Sequence, residues 1–170
     1  MGGIIVARHE MSVIELAPVK INYGLTVEEM IAGFAGNSPD ITSEHFPNCR
    51  AGRTGEAELF FSICLVKPVP TRQHLSDAEV EKRVEAAGFV FEELPALAPF
   101  KEEGNASELW NAGVGHILVL GANSRWRNAD GVYVVGLRLR ASVRGFSAYR
   151  LEDNLRSEDW VVCRKLPSAT

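Results

Sequence analysis

The sequence predicts an α+β protein in which two short helices pack on one face of a mixed, mainly antiparallel sheet. Three patterns indicate this fold. Residues 57–66 alternate as a sheet strand does, and residues 26–32 and 77–87 each carry helix-capping signals. Residues 116–165 have the alternation and turn spacing of a C-terminal antiparallel meander of about four strands.

Length and hydropathy limit the number of domains and the membrane segments that the protein can have. At 170 residues the chain is expected to form one domain over residues 1–170, with residues 1–10 and 166–170 loose at its ends. The chain contains no run of 18 apolar residues, so neither a transmembrane helix nor a membrane partner is expected. No basic stretch precedes the short apolar run at the N-terminus, so no signal peptide is predicted.

The apolar strand and the helix after it are the clearest local features. The odd-numbered residues of the segment 57–66 are all apolar and the even-numbered ones are mixed. This pattern places one face in the core and leaves the other at least half covered. Ser76 and Glu79 form a capping box at the start of the helix, and Gly88 ends it as a left-handed residue. Residues 89–91 then close a strand–helix–strand unit.

The other elements are assigned from similar signals. Thr26 and Glu29 form a second capping box, which begins the helix over 26–32. Residues 37–53 form a long irregular loop, and loops of this length are often functional. The remaining predicted elements are an edge strand over 13–23, a short helix over 92–98 and one helical turn over 107–111.

A set of arginines on the C-terminal strands is the strongest candidate for a binding site. Arg138 and Arg140 are two residues apart in a strand, so both lie on one face of the sheet. Arg150 and Arg164 alternate in the same way in later strands, and neighbouring strands would bring several guanidiniums to one face. Guanidinium forks match carboxylates and phosphates, and aromatic rings add stacking surface. The predicted ligand-binding residues are Arg138, Arg140, Arg150, Trp126 and Tyr133. Alternatively, these arginines solvate an open sheet face or pair with the acidic part of the chain.

Charge is divided unevenly along the chain. Residues 1–120 hold nine Lys/Arg and 17 Asp/Glu, a net charge of −8, whereas residues 121–170 hold nine and five, a net charge of +4. Such asymmetry can mark a surface for an anionic small molecule or an acidic protein surface, and a patch with both signs can be self-complementary in a homodimer. Alternatively, the two parts attract each other within one fold. Nucleic acid is not expected as a partner of a chain with a net charge of −4.

The cysteines and histidines give no clear reactive site. Cys49, Cys64 and Cys163 are an odd number without metal-ligand spacing, which is typical of a protein of the reducing cytoplasm. His45 and Cys49 match no zinc pattern, so no metal and no cofactor are predicted. Cys64 lies among apolar residues in a strand and is interpreted as a small hydrophobe rather than a nucleophile.

Two functions of different classes follow from these patterns. The favoured one is a non-enzymatic binding module whose basic sheet face, or whose loop over 37–53, holds an anionic ligand or an acidic protein surface. The alternative is a small hydrolase-type enzyme that uses His45 or His116 with a carboxylate. The acidic residues within 152–159 are interpreted as a solvated loop rather than as cation ligands or an acid–base pair. Because the sequence pattern identifies no set of nucleophile, base and orienting group, no catalytic residue is assigned.

Several segments resemble a family of small bacterial proteins that has no assigned activity. They are NYGLTVEEMI, SPDITSEHFP, LSDAEVEKRVEAAGF, VLGANSRW, DGVYVVGL and WVVCRK, within residues 20–165. The chain departs from the family pattern at Pro95 and over 101–115, where family members carry a longer and more regular helix. The resemblance implies a bacterial protein and supports the segment boundaries, and it implies nothing about chemistry.

Overall fold

The fold is built from short strands and a few helices. The computed structural model describes residues 5–8, 11–17, 20–32, 34, 41–49, 56–58, 63–101, 103–140 and 144–166. Within them the helices are α1 Val27–Ile31, α2 Asp77–Ala86 and α3 Glu103–Asn111, with 3-10 helices at Leu94–Lys101, Ala122–Ser124 and Leu151–Asp153. The strands are β1 Ile5–Arg8, β2 Met11–Glu15, β3 Lys20–Asn22, β4 Glu56–Glu58, β5 Ile63–Lys67, β6 His74–Leu75, β7 Phe89–Phe91, β8 His116–Leu118, β9 Arg125–Asn128, β10 Gly131–Leu139, β11 Arg144–Arg150, β12 Leu155–Arg156 and β13 Trp160–Lys165.

The main sheet is mixed and mainly antiparallel, which confirms the predicted fold class. Its strand order is β1-β2-β5-β13-β8-β10-β11, with β7 paired to β13 and β9 paired to β10. The pairing of β13 with β8 is parallel, and the other described pairs in this sheet are antiparallel. The strands β9, β10 and β11 form the predicted C-terminal meander. The last strand leaves that meander and lies between β5 and β8.

Apolar side chains cover both faces of the main sheet. On one face Leu65 belongs to a core cluster with Met30 of α1. On the other face Cys64 belongs to a cluster with Val84 of α2. The two predicted helices therefore lie on opposite faces of the sheet rather than on one. The reason is that β5 is apolar from residue 63 to 66, so both of its faces need cover, as in a strand buried inside a layered fold.

Two predicted strands are divided between sheets. In the segment 57–66, β4 pairs with β3 in a separate two-stranded sheet, whereas β5 pairs with β2 and β13. Residues 59–62 lie outside the described residues. In the segment 13–23, β2 is an interior strand of the main sheet and β3 belongs to the small one. Alternation continues through such a change of partner, so the pattern alone does not reveal it.

The helix ends follow the predicted local chemistry. Both capping boxes form: Ser76 Oγ accepts from the backbone N–H of Glu79, and the equivalent bond joins Thr26 and Glu29. Gly88 has φ +88°, the left-handed conformation that ends α2. The helix predicted over 92–98 is a 3-10 helix shifted towards the C-terminus.

The helix α3 is longer than the single turn predicted over 107–111. It starts at Glu103 and includes Gly104 and Asn105, which are poor helix formers. Ala106 and Leu109, three residues apart, are buried in the core. Their packing outweighs the low local propensity.

We expect Val84→Ala to lower the free energy of unfolding by about 1–2 kcal/mol, because it removes two buried methyl groups and leaves a cavity under α2. Val84 is 0 % exposed. Urea unfolding followed by circular dichroism measures the change. Glu81→Ala on the exposed side of the same helix is the matched control and should change stability little. An unchanged midpoint for Val84→Ala would show that α2 does not dock through this residue.

Candidate functional site

The predicted arginines Arg138 and Arg140 line a cavity of about 550 Å³. Both residues are exposed, whereas Leu137 and Leu139 are buried in the core, so the predicted alternation in β10 is confirmed. Among the described residues neither guanidinium has an ion-pair or hydrogen-bond partner. The polar residues around the cavity are His116, Arg138, Arg140, Tyr149, Arg150, Asp153, Asn154, Arg156, Glu158 and Asp159. Its apolar residues include Trp110, Leu118, Val134, Leu139, Leu151 and Leu155.

His116 and Asp159 meet at this cavity because β8 and β13 run in parallel. Ile117 is opposite Trp160 in the register of the two strands. His116 directly precedes Ile117, and Asp159 directly precedes Trp160. Because the strands are parallel, His116 and Asp159 lie side by side. The Nδ1 atom of His116 lies 2.5 Å from Oδ1 of Asp159.

The carboxylate of Asp159 is held at both oxygens. Oδ1 pairs with the imidazole, and Oδ2 accepts a hydrogen bond of 2.8 Å from the backbone N–H of Arg156. The exposed fractions of the side chains are 15% for His116 and 9% for Asp159. An ionised carboxylate only accepts hydrogen bonds, so Nδ1 is the donor in this contact, and in the neutral form of the imidazole the lone pair is then on Nε2.

Two buried polar atoms at the cavity have no hydrogen-bond partner among the described residues. They are Nε2 of His116 and the hydroxyl oxygen of Tyr149. The two rings pack together, with centroids 4.3 Å apart and planes at 57°. A buried polar group left without a partner costs about 1–3 kcal/mol. Both atoms therefore gain from a molecule that hydrogen-bonds to them.

Gly136 makes room for the ring of Tyr149. A Cβ atom at this position of β10 would clash with Cε2 of Tyr149 and lie 2.9 Å from Cδ2 of Leu118. Tyr149 is opposite Val134 in the β10–β11 register, so Gly136 is its diagonal neighbour. The absence of a side chain lets the phenol lie over β10 and reach the imidazole on β8.

The register places Arg150 on the other face of the sheet. Arg150 is opposite Tyr133, whereas Arg138 is opposite Gly145, and successive residues of a strand alternate between faces. Its Nε atom lies 3.5 Å from Oε2 of Glu152, although the residue still borders the cavity. The expectation that Arg150 shares a face with Arg138 and Arg140 is therefore wrong, because alternation fixes faces only within one strand.

Arg164 also lies away from the cavity. It is opposite Ile63 in the β5–β13 register, and Ile63 belongs to the core cluster on the side of α1. Its Nε atom lies 3.3 Å from Oε1 of Glu92, a residue that is only 1% exposed. This ion pair balances the buried Glu92 carboxylate, which is a structural role.

Trp126 and Tyr133 form part of an aromatic stack at a second place. Their ring centroids are 5.3 Å apart, and His45 packs on Trp126 with centroids 4.0 Å apart. His45 Nδ1 lies 3.0 Å from Oγ1 of Thr42. His45 and Trp126 line a second cavity of about 390 Å³. The structure does not bring these rings to the arginine cavity, and ligand binding by Trp126 and Tyr133 stays a prediction.

The cysteines have the character of core residues. Cys64 and Cys163 are opposite each other on β5 and β13, and both are buried. Burial raises the pKa of the Cys64 thiol to about 12 and that of Cys163 well above its usual value, which disfavours the thiolate. Among the described residues no group of three or more His, Cys, Asp or Glu side chains is arranged to hold a metal ion.

Comparison of the chain with protein-family models, curated proteins and solved structures gives no match. The resemblance to a family of small bacterial proteins stays a prediction. In the described part of the chain no helix is long and apolar enough to cross a membrane.

Asp159 and Tyr149 are the site residues that sequence reasoning missed. The acidic segment 152–159 was expected to be solvated, yet Asp159 is 6% exposed. A signal was present, because Asp159 directly precedes the apolar strand 160–163 and His116 stands at the start of another one. Such positions lie at the rim of a sheet, where polar side chains of neighbouring strands meet.

We expect Gly136→Ala to lower the free energy of unfolding by about 1–3 kcal/mol, because the new methyl group displaces the ring of Tyr149. Near-ultraviolet circular dichroism should change at the tyrosine band, and urea unfolding measures the stability. Gly104→Ala is the control: a Cβ at Gly104 has nothing within 4 Å, and alanine favours the helix. Equal stability of Gly136→Ala and the wild type would contradict the tight packing of Tyr149 on β10.

Proposed function

We propose that this protein binds a small anionic molecule, carrying a phosphate or a carboxylate, in the cavity lined by Arg138, Arg140 and His116. The observation that supports this most is the pair of arginines without a counterion among the described residues, at the wall of a cavity of about 550 Å³. Two like charges two residues apart, one near the end of β10 and one directly after it, favour an anion between them. In this proposal the protein is a binding module, and no reaction is required.

The cavity wall also has the groups expected for a selective small-molecule site. Trp110, which is 40% exposed, and Leu139 give it an apolar part, which suits the carbon skeleton of a ligand. The Tyr149 hydroxyl and His116 Nε2, which lack a partner among the described residues, add polar groups to the residues that line it. Two carboxylates that line the cavity limit the charge of the anion: Glu158 lies 4.0 Å from Arg156, and the buried Asp159 is already bound to His116. A ligand with one anionic group fits this balance of charge better than a polyanion does.

The concave shape favours a small molecule over an acidic protein surface as the partner. Protein partners generally require a wide surface with about 800 Å² buried on each side. Self-association as a homodimer through the arginine-bearing face stays a proposal. It is separable from ligand binding, because it depends on protein concentration.

We expect phenyl phosphate and benzoate to bind and neutral phenol to bind much more weakly. Isothermal titration calorimetry at low salt measures the three affinities. Arg138→Gln and Arg140→Gln should each weaken phenyl phosphate binding by roughly tenfold or more, since a hydrogen bond to a charged group contributes about 1.5–3 kcal/mol. Arg72→Gln, an exposed arginine that does not line the cavity, is the matched control. Added salt should weaken the binding.

Equal affinity for phenol and phenyl phosphate, or unchanged binding by the Arg138→Gln/Arg140→Gln double variant, would refute the anion site. Sedimentation of the wild type and of Arg138→Glu/Arg140→Glu, at low and high salt, tests the homodimer in the same samples. A wild type that stays monomeric at every concentration would rule out self-association and leave the binding proposal intact.

A further inference from the structure

We propose that His116, oriented by Asp159, is a general base that activates water to hydrolyse a phosphate ester held by Arg138. This proposal rests on the anion site proposed above and adds a reaction to it. The alternative is that the His116–Asp159 pair has only a structural role at the edge of the sheet. The geometry around the pair favours a chemical role in three respects.

The contacts of Asp159 fix the orientation of the His116 imidazole, as a general base requires. Asp159 binds Nδ1 at 2.5 Å and is itself fixed by the backbone N–H of Arg156 at 2.8 Å. The carboxylate thus sets the tautomer and the orientation of the ring, as the acidic member does in hydrolase triads. The nitrogen that would accept a proton, Nε2, has no hydrogen-bond partner among the described residues.

The position of Arg138 identifies the kind of substrate. Arg138 is directly opposite His116 on the neighbouring antiparallel strand, so their side chains start about 5 Å apart on the same face. An anion bound by Arg138 therefore lies beside the imidazole. In a phosphate ester the anionic group is also the group that water attacks. In a carboxylic ester the reacting carbonyl is neutral, and the arginine would have no anion to hold at the reacting centre.

The remaining groups agree with this assignment. Half-buried Tyr149 packs its ring against the imidazole, and its hydroxyl has no partner among the described residues, so it is a donor for a phosphoryl oxygen or for the attacking water. The second arginine, Arg140, directly follows the last residue of β10 and adds positive charge where negative charge develops in the transition state. The apolar part of the cavity accommodates the alcohol or phenol of the ester.

The reaction is a hydrolysis without oxidation or reduction. A water oxygen forms a bond to phosphorus while Nε2 of His116 takes a proton from that water. The bond between phosphorus and the ester oxygen breaks, and the leaving oxygen takes a proton from solvent at the open side of the cavity. The imidazolium then releases its proton to solvent. The products are the alcohol and a phosphate with one more ionisable oxygen.

The experiment measures release of p-nitrophenol from p-nitrophenyl phosphate and bis(p-nitrophenyl) phosphate by the purified protein in the presence of a chelator. We expect His116→Gln to lower kcat by about 10²–10⁴-fold, the usual contribution of a general base. Added imidazole should restore part of the activity of His116→Ala. His74→Gln, an exposed histidine outside the cavity, is the control and should retain full activity. Melting curves of every variant show whether it is folded.

Asp159 is a positioning residue, and its test separates orientation from binding. Asp159→Asn should lower kcat by about tenfold or more while KM for the phosphate ester changes little. A loss that appears in KM alone would assign Asp159 to the architecture of the cavity and overturn its orienting role.

Three results would overturn the catalytic proposal. The first is that neither ester releases p-nitrophenol faster than it does in buffer alone. The others are equal activity of His116→Gln and the wild type, and a folded His116→Ala whose activity imidazole does not restore. Binding of phenyl phosphate is measured on the same protein. Binding without hydrolysis refutes the base and leaves the anion site standing, whereas absence of both refutes both proposals.

Discussion

The pairing of β13 with strands from both halves of the chain is the interaction on which the structure depends. β13 is antiparallel to β5 and β7 and parallel to β8, and its residues 160–163 are all buried. Within the described part of the main sheet, no other pair joins β1, β2, β5 and β7 to β8 and the meander; β6 and β12 pair separately in a two-stranded sheet. The same parallel pairing places Asp159 beside His116. The strand that completes the main sheet therefore also assembles the candidate site.

The features predicted correctly from sequence are those that neighbouring residues decide. The capping boxes at Thr26 and Ser76 and the left-handed Gly88 depend on contacts within one helical turn, so the residue types suffice. Which strands meet is a different matter, because alternation is the same whichever partner a strand finds. For that reason the place of β13 and the division of the segment 57–66 were not predicted. The unbroken apolar run of β5 indicates that both of its faces are buried, so each side of the sheet needs a covering layer.

The same distinction explains the site. Arg138 and Arg140 were correctly placed on one face, since period two within a strand requires it. Arg150 lies on the other face because the register of β10 with β11 decides between faces, and no local signal gives that register. Asp159 was obscured by its acidic neighbours, which made a solvated loop the simpler interpretation. His116 and Asp159 are more than 40 residues apart in the sequence. Only their contact in the folded protein shows that the Asp159 carboxylate is buried against an imidazole.

The energetics of the cavity favour a role in binding over a role in holding the fold. Desolvation offsets much of the attraction in a buried polar pair, so the contact of His116 with Asp159 adds little net stability. β8 and β13 are already joined by backbone pairing and by buried Ile117 and Val161. Nε2 of His116 and the Tyr149 hydroxyl, without partners among the described residues, are unfavourable for folding alone, and so are two arginines that lie two residues apart. Groups that cost stability collect where a protein acts on something else, because a ligand supplies the partners that the chain does not. This local imbalance, more than the uneven charge of the whole sequence, is the physical reason for proposing a binding role at this cavity.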